Sequence, residues 1–229
     1  MLQFVAKFIR SFDFRHQANF FTIFRFSNMA MKNNYKQIVD RNIGLLTQKE
    51  QEIIRKTHIA VFGVGGLGGV IAEILVRSGI TRITVVDKDV FDATNLNRQI
   101  FAFVDTVGKP KIDVTEEFLR RINPELTLIK ASEVGQHNIH DLLHGISVAL
   151  LALDDISGCI VISRSARQLN IPLVEGWAIH YGNVRVVTAE TPSLEEVYNM
   201  PTIGKDINSL TMEERQLLNL KMLYELRSL

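Results

Sequence analysis

The sequence predicts an α/β protein whose mostly parallel, doubly wound sheet carries helices on both faces. Two observations carry this prediction. Short apolar runs alternate with segments of helical periodicity from Tyr35 onwards, as in βαβ architectures. A glycine-rich turn, Gly63-Val64-Gly65-Gly66-Leu67-Gly68, follows the first apolar run, and the next run ends in Asp87. A strand, a glycine turn, a helix and a second strand with a terminal acid form a nucleotide-binding βαβ unit.

The elements are expected in a regular order along the chain. Thr47 and Glu50 form a capping box that opens a helix to about Lys56. Alternation over 183–189 predicts a further strand, antiparallel to the rest, and Thr211 with Glu214 begins a C-terminal helix. The remaining predicted elements are strands 59–62, 82–87, 126–131, 147–153 and 171–175, and helices 67–78, 110–122, 138–143 and 157–169.

Composition bounds the function classes. The chain has 229 residues, 46% of them hydrophobic, which is enough for one α/β domain with its own core. A net charge of +1 gives no overall electrostatic attraction for nucleic acid. The single cysteine, Cys159, excludes a disulfide framework and a four-cysteine zinc site. It fits a reducing compartment, and we expect a cytoplasmic protein.

Residues 1–31 differ from the rest, because they are rich in phenylalanine and basic residues and contain one acid, Asp13. The basic residues interrupt every apolar stretch, so no transmembrane segment or secretory signal is predicted. Three readings remain for this extension: an amphipathic surface or partner-binding helix, an organelle-targeting segment, or an upstream stretch translated from a misjudged start before Met29 or Met31.

The glycine turn predicts a phosphate site. Gly63 and Gly65 allow a tight turn and a close approach of phosphate to the backbone, and Gly68 allows the following helix to pack on the strand. The free N–H groups and dipole at the helix start attract anions. Asp87, at the end of the second strand, is placed to bind ribose hydroxyls.

Charged residues at the strand ends indicate attack on a phosphate. Two negative groups, a carboxylate and an α-phosphate, react only if cations neutralise the developing charge and a metal holds the leaving pyrophosphate. Arg98 and Lys111 fit the cationic role, and Asp154 fits a Mg²⁺ ligand.

These blocks together resemble the ThiF/MoeB/HesA superfamily of ubiquitin-activating-enzyme-like adenylyltransferases, which has a Rossmann-like fold. The resemblance covers about 35–190. The matching segments are Asp40 to Leu46, Gly63 to Gly68, Asp87 to Asp89, Asn95 to Gln99, Val107 to Lys111, Ile122 to Pro124, and Leu153 with Asp154.

The resemblance implies an ATP·Mg²⁺ site that adenylates a carboxylate, commonly the C-terminal Gly-Gly of a ubiquitin-like sulfur carrier. Its implied catalytic residues are Arg98, Lys111, Asp154 (which binds magnesium) and Arg41, which would reach into the partner's site in a homodimer. Its implied ATP-binding residues are Gly63, Gly65, Gly66, Leu67, Gly68, Asp87, Asp89, Asn95, Asn97, Gln99 and Asp155.

The chain also departs from this pattern. Many relatives carry a later cysteine for thioester or persulfide chemistry and CxxC pairs that bind zinc, and this chain has only Cys159. We therefore expect no structural zinc, and adenylation as the only step on this chain. Residues 32–229 are expected to form one such domain, truncated at its C-terminus.

Several alternatives remain open. The activated carboxylate could belong to a peptide or to a modified tRNA base, although the near-zero net charge does not favour tRNA. Two other classes are an NAD(P)-dependent oxidoreductase, in which Arg98 and Lys111 would have no function, and a non-catalytic dimeric scaffold.

Overall fold

The structure, a computed structural model, describes residues 35–178 and 182–228. The extension predicted over 1–31 lies outside the described residues. Among the described residues, the first five α-helices are α1 (Tyr35–Val39), α2 (Gln48–Lys56), α3 (Gly66–Arg77), α4 (Lys111–Ile122) and α5 (Ile139–Leu143). The later helices are α6 (Ile156–Gln168), α7 (Leu194–Val197) and α8 (Met212–Ser228).

Six strands form one sheet, as predicted. They are β1 (His58–Phe62), β2 (Arg82–Val86), β3 (Thr127–Ala131), β4 (Val148–Leu151), β5 (Leu173–Ala178) and β6 (Gly182–Val187). Their order is β3-β2-β1-β4-β5-β6. Only β6 is antiparallel to its neighbour. The strand order reverses between β1 and β4, and ligands bind in doubly wound sheets at this switch point.

Two apolar clusters fill the two faces of the sheet. One contains Ala72 and Val76 of α3 with Val114 and Leu119 of α4. The other contains residues of α5, α6 and α8. Every residue of β1 is buried, as expected of a central strand covered on both faces. The fold class predicted from the sequence is therefore confirmed.

Local signals in the sequence placed most helix starts correctly. The Thr47 hydroxyl accepts the Glu50 N–H at 3.2 Å, and the Glu50 carboxylate accepts the Thr47 N–H at 2.8 Å. Thr211 and Glu214 form the same reciprocal pair at the start of α8. The sequence did not indicate α1, α7 or the short 3-10 turns, because these elements are too short to show a period.

No helix among residues 35–178 and 182–228 has the length and apolar character that crossing a membrane requires.

Candidate active site

The glycine turn joins β1 to α3 at the carboxyl edge of the sheet. Gly63 has a φ of +92°, and a Cβ at this position would lie 2.4 Å from the Ala152 carbonyl oxygen. A Cβ on Gly68 would lie 1.8 Å from the Gly63 carbonyl oxygen. No side chain fits at either position, so the turn depends on glycine at both. Gly65 differs, because a Cβ there would meet only the Gln99 amide, at 3.7 Å.

The start of α3 offers backbone donors to an anion. The first intrahelical bond runs from the Gly69 N–H to the Gly65 carbonyl at 3.0 Å, so the N–H groups of Gly66, Leu67 and Gly68 precede the helical ladder. The helix dipole adds a partial positive charge at this end. This cradle of backbone N–H groups beside a turn without side chains fits the phosphates of a nucleotide.

Asp87 is a buried carboxylate that ties the glycine turn to the end of β2. One carboxylate oxygen accepts the Val64 N–H at 2.8 Å, and the other accepts the Asp89 N–H at 2.9 Å. The sequence predicted Asp87 as a ribose ligand. The structure adds a second role, since each carboxylate oxygen already holds one backbone group and retains a free acceptor direction.

Lys111 reaches the same edge from the start of α4. Its ammonium lies 2.9 Å from Asp89 Oδ2, and its side chain is only 8% exposed. The backbone repeats the contact, because the Lys111 N–H donates to the Asp89 carbonyl at 2.9 Å. Val64, Asp87, Asp89 and Lys111 therefore form one hydrogen-bonded series from the glycine turn to a buried cation.

The Asn95–Gln99 segment covers the glycine turn. A Cβ on Gly66 would lie 3.7 Å from Arg98 Cγ, so the Arg98 stem runs beside the turn. The Arg98 guanidinium donates to the Thr94 carbonyl at 2.8 Å and to Asn97 Oδ1 at 3.0 Å. Buried Asn95 instead holds the loop, because its Oδ1 accepts the Asp92 N–H at 3.1 Å.

The Gln99 amide lies beside the glycine turn and contains a buried acceptor that no described residue satisfies. Its Oε1 has no hydrogen-bond partner among the described residues, and its Nε2 is the side-chain atom nearest to Gly65. A buried acceptor without a partner is costly. Its place against the phosphate cradle fits a ligand or water that would satisfy it.

Asp154 and Asp155 lie at the end of β4, between that strand and α6, and both are exposed. Asp155 occupies the N-cap position of α6 without any side-chain capping bond. Within the described part of the chain, no three metal-ligating side chains converge. Asp154 as a Mg²⁺ ligand stays a prediction from the sequence. An ion held by one carboxylate would complete its shell with phosphate oxygens and water, which is usual for Mg²⁺.

Arg41 lies in a segment that is remote from the glycine turn. The neighbouring Asn42 donates to the Ser78 carbonyl at 3.2 Å, and Ser78 caps the C-terminal end of α3. The glycine turn begins the same helix. A helix of 12 residues separates the two ends by roughly 18 Å.

Sequence reasoning missed a buried polar cluster on β5 and β6. Glu175 is fully buried, lies 3.4 Å from Arg185 Nη1, and accepts from the Tyr198 hydroxyl at 3.0 Å. Burial raises the pKa of Glu175, and the Arg185 charge opposes that rise. Burial and the nearby Glu175 carboxylate also raise the pKa of Tyr198. Arg185 alternates with valines on the edge strand β6, a pattern that is typical of exposed polar side chains. The sequence therefore gave no indication of the buried cluster.

The fold and the site define a doubly wound nucleotide-binding domain with cations at its glycine turn. The sequence profile of the ThiF family matches residues 39–216. The chain belongs to this family, which confirms the resemblance found in the sequence.

Several named relatives are similar to parts of the chain. The tRNA threonylcarbamoyladenosine dehydratase of Bacillus subtilis is 35% identical over 136 residues, which is 58% of this chain and 54% of the relative. The Haemophilus influenzae protein of the same name is 37% identical over 56% of this chain and 50% of its own. The molybdopterin-synthase adenylyltransferase of Salmonella typhimurium is 29% identical over 71% of this chain and 65% of its own.

A solved structure agrees with the fold. The E. coli tRNA N6-threonylcarbamoyladenosine dehydratase, TcdA, in complex with AMP superimposes with a TM-score of 0.62 at 34% identity, covering 65% of this chain and 62% of that chain. The same protein is known in complex with ATP. The chain spans about half the length of the two dehydratases that it matches in sequence.

Asp87→Ala should loosen the glycine turn, because the Val64 and Asp89 N–H groups lose their acceptor. We expect a destabilisation of about 1–3 kcal/mol and faster hydrogen exchange at the Val64 amide, measured by NMR. Asp92→Ala is the control, since Asp92 caps only its own 3-10 turn. Unchanged Val64 exchange in Asp87→Ala would contradict the tie between β2 and the turn.

Proposed function

We propose that this chain is an ATP- and Mg²⁺-dependent adenylyltransferase that activates a carboxylate as an acyl-adenylate and releases pyrophosphate. One observation carries the proposal: two cations, Arg98 and Lys111, lie at the same glycine turn. The stem of Arg98 runs beside Gly66, and Lys111 is joined to the turn through Asp89 and Asp87.

The charges match what the reaction requires. A carboxylate oxygen bonds to the α-phosphorus while the bond to the β-phosphate oxygen breaks, and pyrophosphate carries away the electron pair. Negative charge builds on the α-phosphate during this step. Fixed cations in a partly desolvated site stabilise such charge strongly. Lys111 is suited to this role because Asp89 holds its ammonium in place at 2.9 Å.

The nucleotide is inferred from the turn and from the relatives. The backbone cradle at α3 fits phosphates, and the similar E. coli TcdA is known in complex with AMP and with ATP. This supports ATP over a nicotinamide dinucleotide, the alternative left open by the sequence. When bound, magnesium would draw electrons from the leaving pyrophosphate, with Asp154 as its protein ligand.

A tRNA base is one candidate for the activated carboxylate. Three relatives that are 33–37% identical are named tRNA threonylcarbamoyladenosine dehydratases, and a threonylcarbamoyl group carries a free carboxylate. Removal of water from such a group needs the carboxylate to be activated, and a nucleophile in the same substrate can complete the step. These relatives therefore support a tRNA substrate, which the net charge of the chain did not favour.

A sulfur carrier with a C-terminal Gly-Gly is the other candidate. The molybdopterin-synthase adenylyltransferase and a Thermus thermophilus sulfur carrier protein adenylyltransferase match longer stretches, 71% and 74% of this chain, at 29% and 28% identity. Cys159, the single cysteine, is fully buried, and burial with nearby carboxylates raises its pKa. The thiol is unsuited to attack an adenylate, so an outside nucleophile would complete this reaction.

A homodimer would bring Arg41 to the site. Arg41 lies at the far end of α3 from its own glycine turn, so it can reach a phosphate only in a second protomer. We propose an isologous dimer in which each protomer supplies Arg41 to its partner.

Lys111→Met tests the adenylation step by ATP–pyrophosphate exchange, with each candidate carboxylate supplied in turn. The variant keeps an apolar side chain and loses the charge that the proposal assigns to stabilising the α-phosphate. Exchange should fall by about 100-fold or more. Lys130→Met is the matched control, because Lys130 pairs with Asp113 and Glu116 on the surface and should retain near wild-type exchange. A wild-type protein that binds no ATP and exchanges with neither carboxylate would contradict the proposal and favour the non-catalytic scaffold.

Arg41→Ala and Lys111→Met, inactive alone, should complement each other when co-expressed. A mixed dimer contains one site with both an intact Lys111 and an intact partner Arg41. Random pairing should therefore restore about a quarter of wild-type exchange. No recovery in mixed dimers, verified by differential tags, would show that Arg41 does not act across a dimer.

A further inference from the structure

Arg41 lies on a loop, residues 40–46, whose two ends are anchored. Before the loop, Val39 of α1 is buried, and its Cγ1 lies 2.8 Å from the position of a Cβ on Gly79. After the loop, the capping box of Thr47 begins α2. Between these anchors the loop is mostly exposed. Arg41 forms no hydrogen bond or ion pair with any described residue, so its guanidinium is available to a ligand.

Asn42, the next residue, ties this loop to the rest of the domain. Its side-chain amide donates to Gln51 Oε1 of α2 at 3.0 Å and to the Ser78 carbonyl at the end of α3 at 3.2 Å. Both hydrogens of the amide are therefore used. No other side chain of residues 40–46 forms a hydrogen bond or ion pair with a described residue.

The backbone of Asn42 also organises the loop internally. Its carbonyl accepts the N–H groups of Leu45 and Leu46 at 3.2 and 2.9 Å, and Gly44 donates to the Leu46 carbonyl at 3.2 Å. These bonds close the loop on itself and do not reach another element. The internal fold of the loop and its attachment to α2 and α3 thus meet at one residue, Asn42.

The partners of Asn42 are themselves held in place. Gln51 is 3% exposed, and its Nε2 donates to the Ser78 carbonyl and to the Tyr35 hydroxyl, both at 2.9 Å. The Tyr35 hydroxyl donates in turn to the Gly79 carbonyl at 2.9 Å. The carbonyls at a helix end have no intrahelical partner, and the end of α3 offers them here as acceptors.

The local conformation turns Arg41 away from this attachment. Asp40, Arg41 and Asn42 form one 3-10 turn. Such a turn has three residues, so consecutive side chains point in directions about 120° apart. With Asn42 directed at α2 and α3, Arg41 is directed towards solvent, where a second protomer could be reached.

We infer that Asn42 is a positioning residue for Arg41: by holding the 3-10 turn on α2 and α3, it sets where the Arg41 guanidinium meets the partner's phosphate site. The inference rests on the proposed function and on the isologous dimer that belongs to it. Without the Asn42 amide, Val39 and Thr47 still anchor the two ends of the loop, but the turn between them keeps no side-chain bond to the domain. A cation without a fixed position stabilises the α-phosphate less, because preorganisation is lost.

Asn42→Leu in mixed dimers tests this role, because leucine has a similar volume and lacks the amide donor. The parent is the dimer of an Arg41→Ala chain with a Lys111→Met chain, purified through two different tags. Its one complete site takes Lys111 from the Arg41→Ala chain and Arg41 from the Lys111→Met chain. Asn42→Leu is added to either chain, and ATP–pyrophosphate exchange is measured with the carboxylate that supports wild-type exchange.

The effect should depend on which chain carries the substitution. On the Lys111→Met chain, which supplies Arg41, Asn42→Leu should lower exchange about tenfold relative to the parent, since a displacement of about 1 Å can cost about 100-fold in rate. On the Arg41→Ala chain, the same substitution should leave exchange within about twofold of the parent, because the arginine beside it is already absent.

Two further variants control the experiment. Asn42→Ala removes the same donor without adding apolar volume and should show the same dependence on the chain. Asn208→Leu breaks a bond of the same kind, because Asn208 Nδ2 donates to Gln136 Oε1 at 2.6 Å on the surface. Placed on the Lys111→Met chain, it should leave exchange within about twofold of the parent.

The outcomes separate this inference from the proposed function. An equal loss on either chain would show a general destabilisation, and no loss on the Lys111→Met chain would show that Asn42 is dispensable. Either result overturns the positioning role and leaves adenylation intact. A parent dimer without exchange, beside an active wild type, would overturn both the transfer of Arg41 and this inference. A wild type without exchange would overturn the proposed function as well.

Discussion

The Asp87 carboxylate is the interaction on which the candidate site depends. It is buried at the end of β2 and accepts one backbone N–H from the glycine turn and one from Asp89. Asp89 in turn holds Lys111. The phosphate cradle, which β1 and α3 supply, and the cation, which α4 supplies, are thereby held in one arrangement. A charge-assisted hydrogen bond to a backbone N–H is stronger than a neutral one, so a single buried aspartate can determine the spacing between phosphate and lysine.

Local chemistry made much of this architecture predictable. Buried parallel strands such as β1 are continuous apolar runs, and capping boxes such as Thr47 with Glu50 mark helix starts within a few residues. The sequence predicted Gly63 for a tight turn and Gly68 for close packing of the helix on the strand. The structure shows a positive φ at Gly63 and, at both positions, a carbonyl too close for any Cβ. Because parallel strands end at one edge of the sheet, the sequence also predicted that Arg98, Lys111 and Asp154 share a site.

Other features depend on partners that are distant in the chain. The sequence showed Asp89 and Lys111 as separate candidates, and only the folded loop reveals that they pair. Asn42 lies 36 positions from Ser78, and nothing in its local sequence indicates that it bonds to the end of another helix. Glu175 and Arg185 are opposite each other in the register of β5 and β6, and Tyr198, which lies outside both strands, bonds to both of them. The glycine turn itself indicated only phosphate binding, whereas the cations beside it support attack on the α-phosphate.

The central claim is that a carboxylate oxygen attacks the α-phosphorus of ATP. The most direct measurement uses substrate labelled with ¹⁸O in its carboxylate: tRNA bearing threonylcarbamoyladenosine, and a sulfur carrier with a labelled C-terminal glycine. Attack at the α-phosphorus, followed by acyl transfer, leaves one carboxylate oxygen on AMP. We predict AMP that contains ¹⁸O, detected by mass spectrometry, with one of these two substrates. ATP consumption that yields unlabelled AMP, or ADP, would contradict the account.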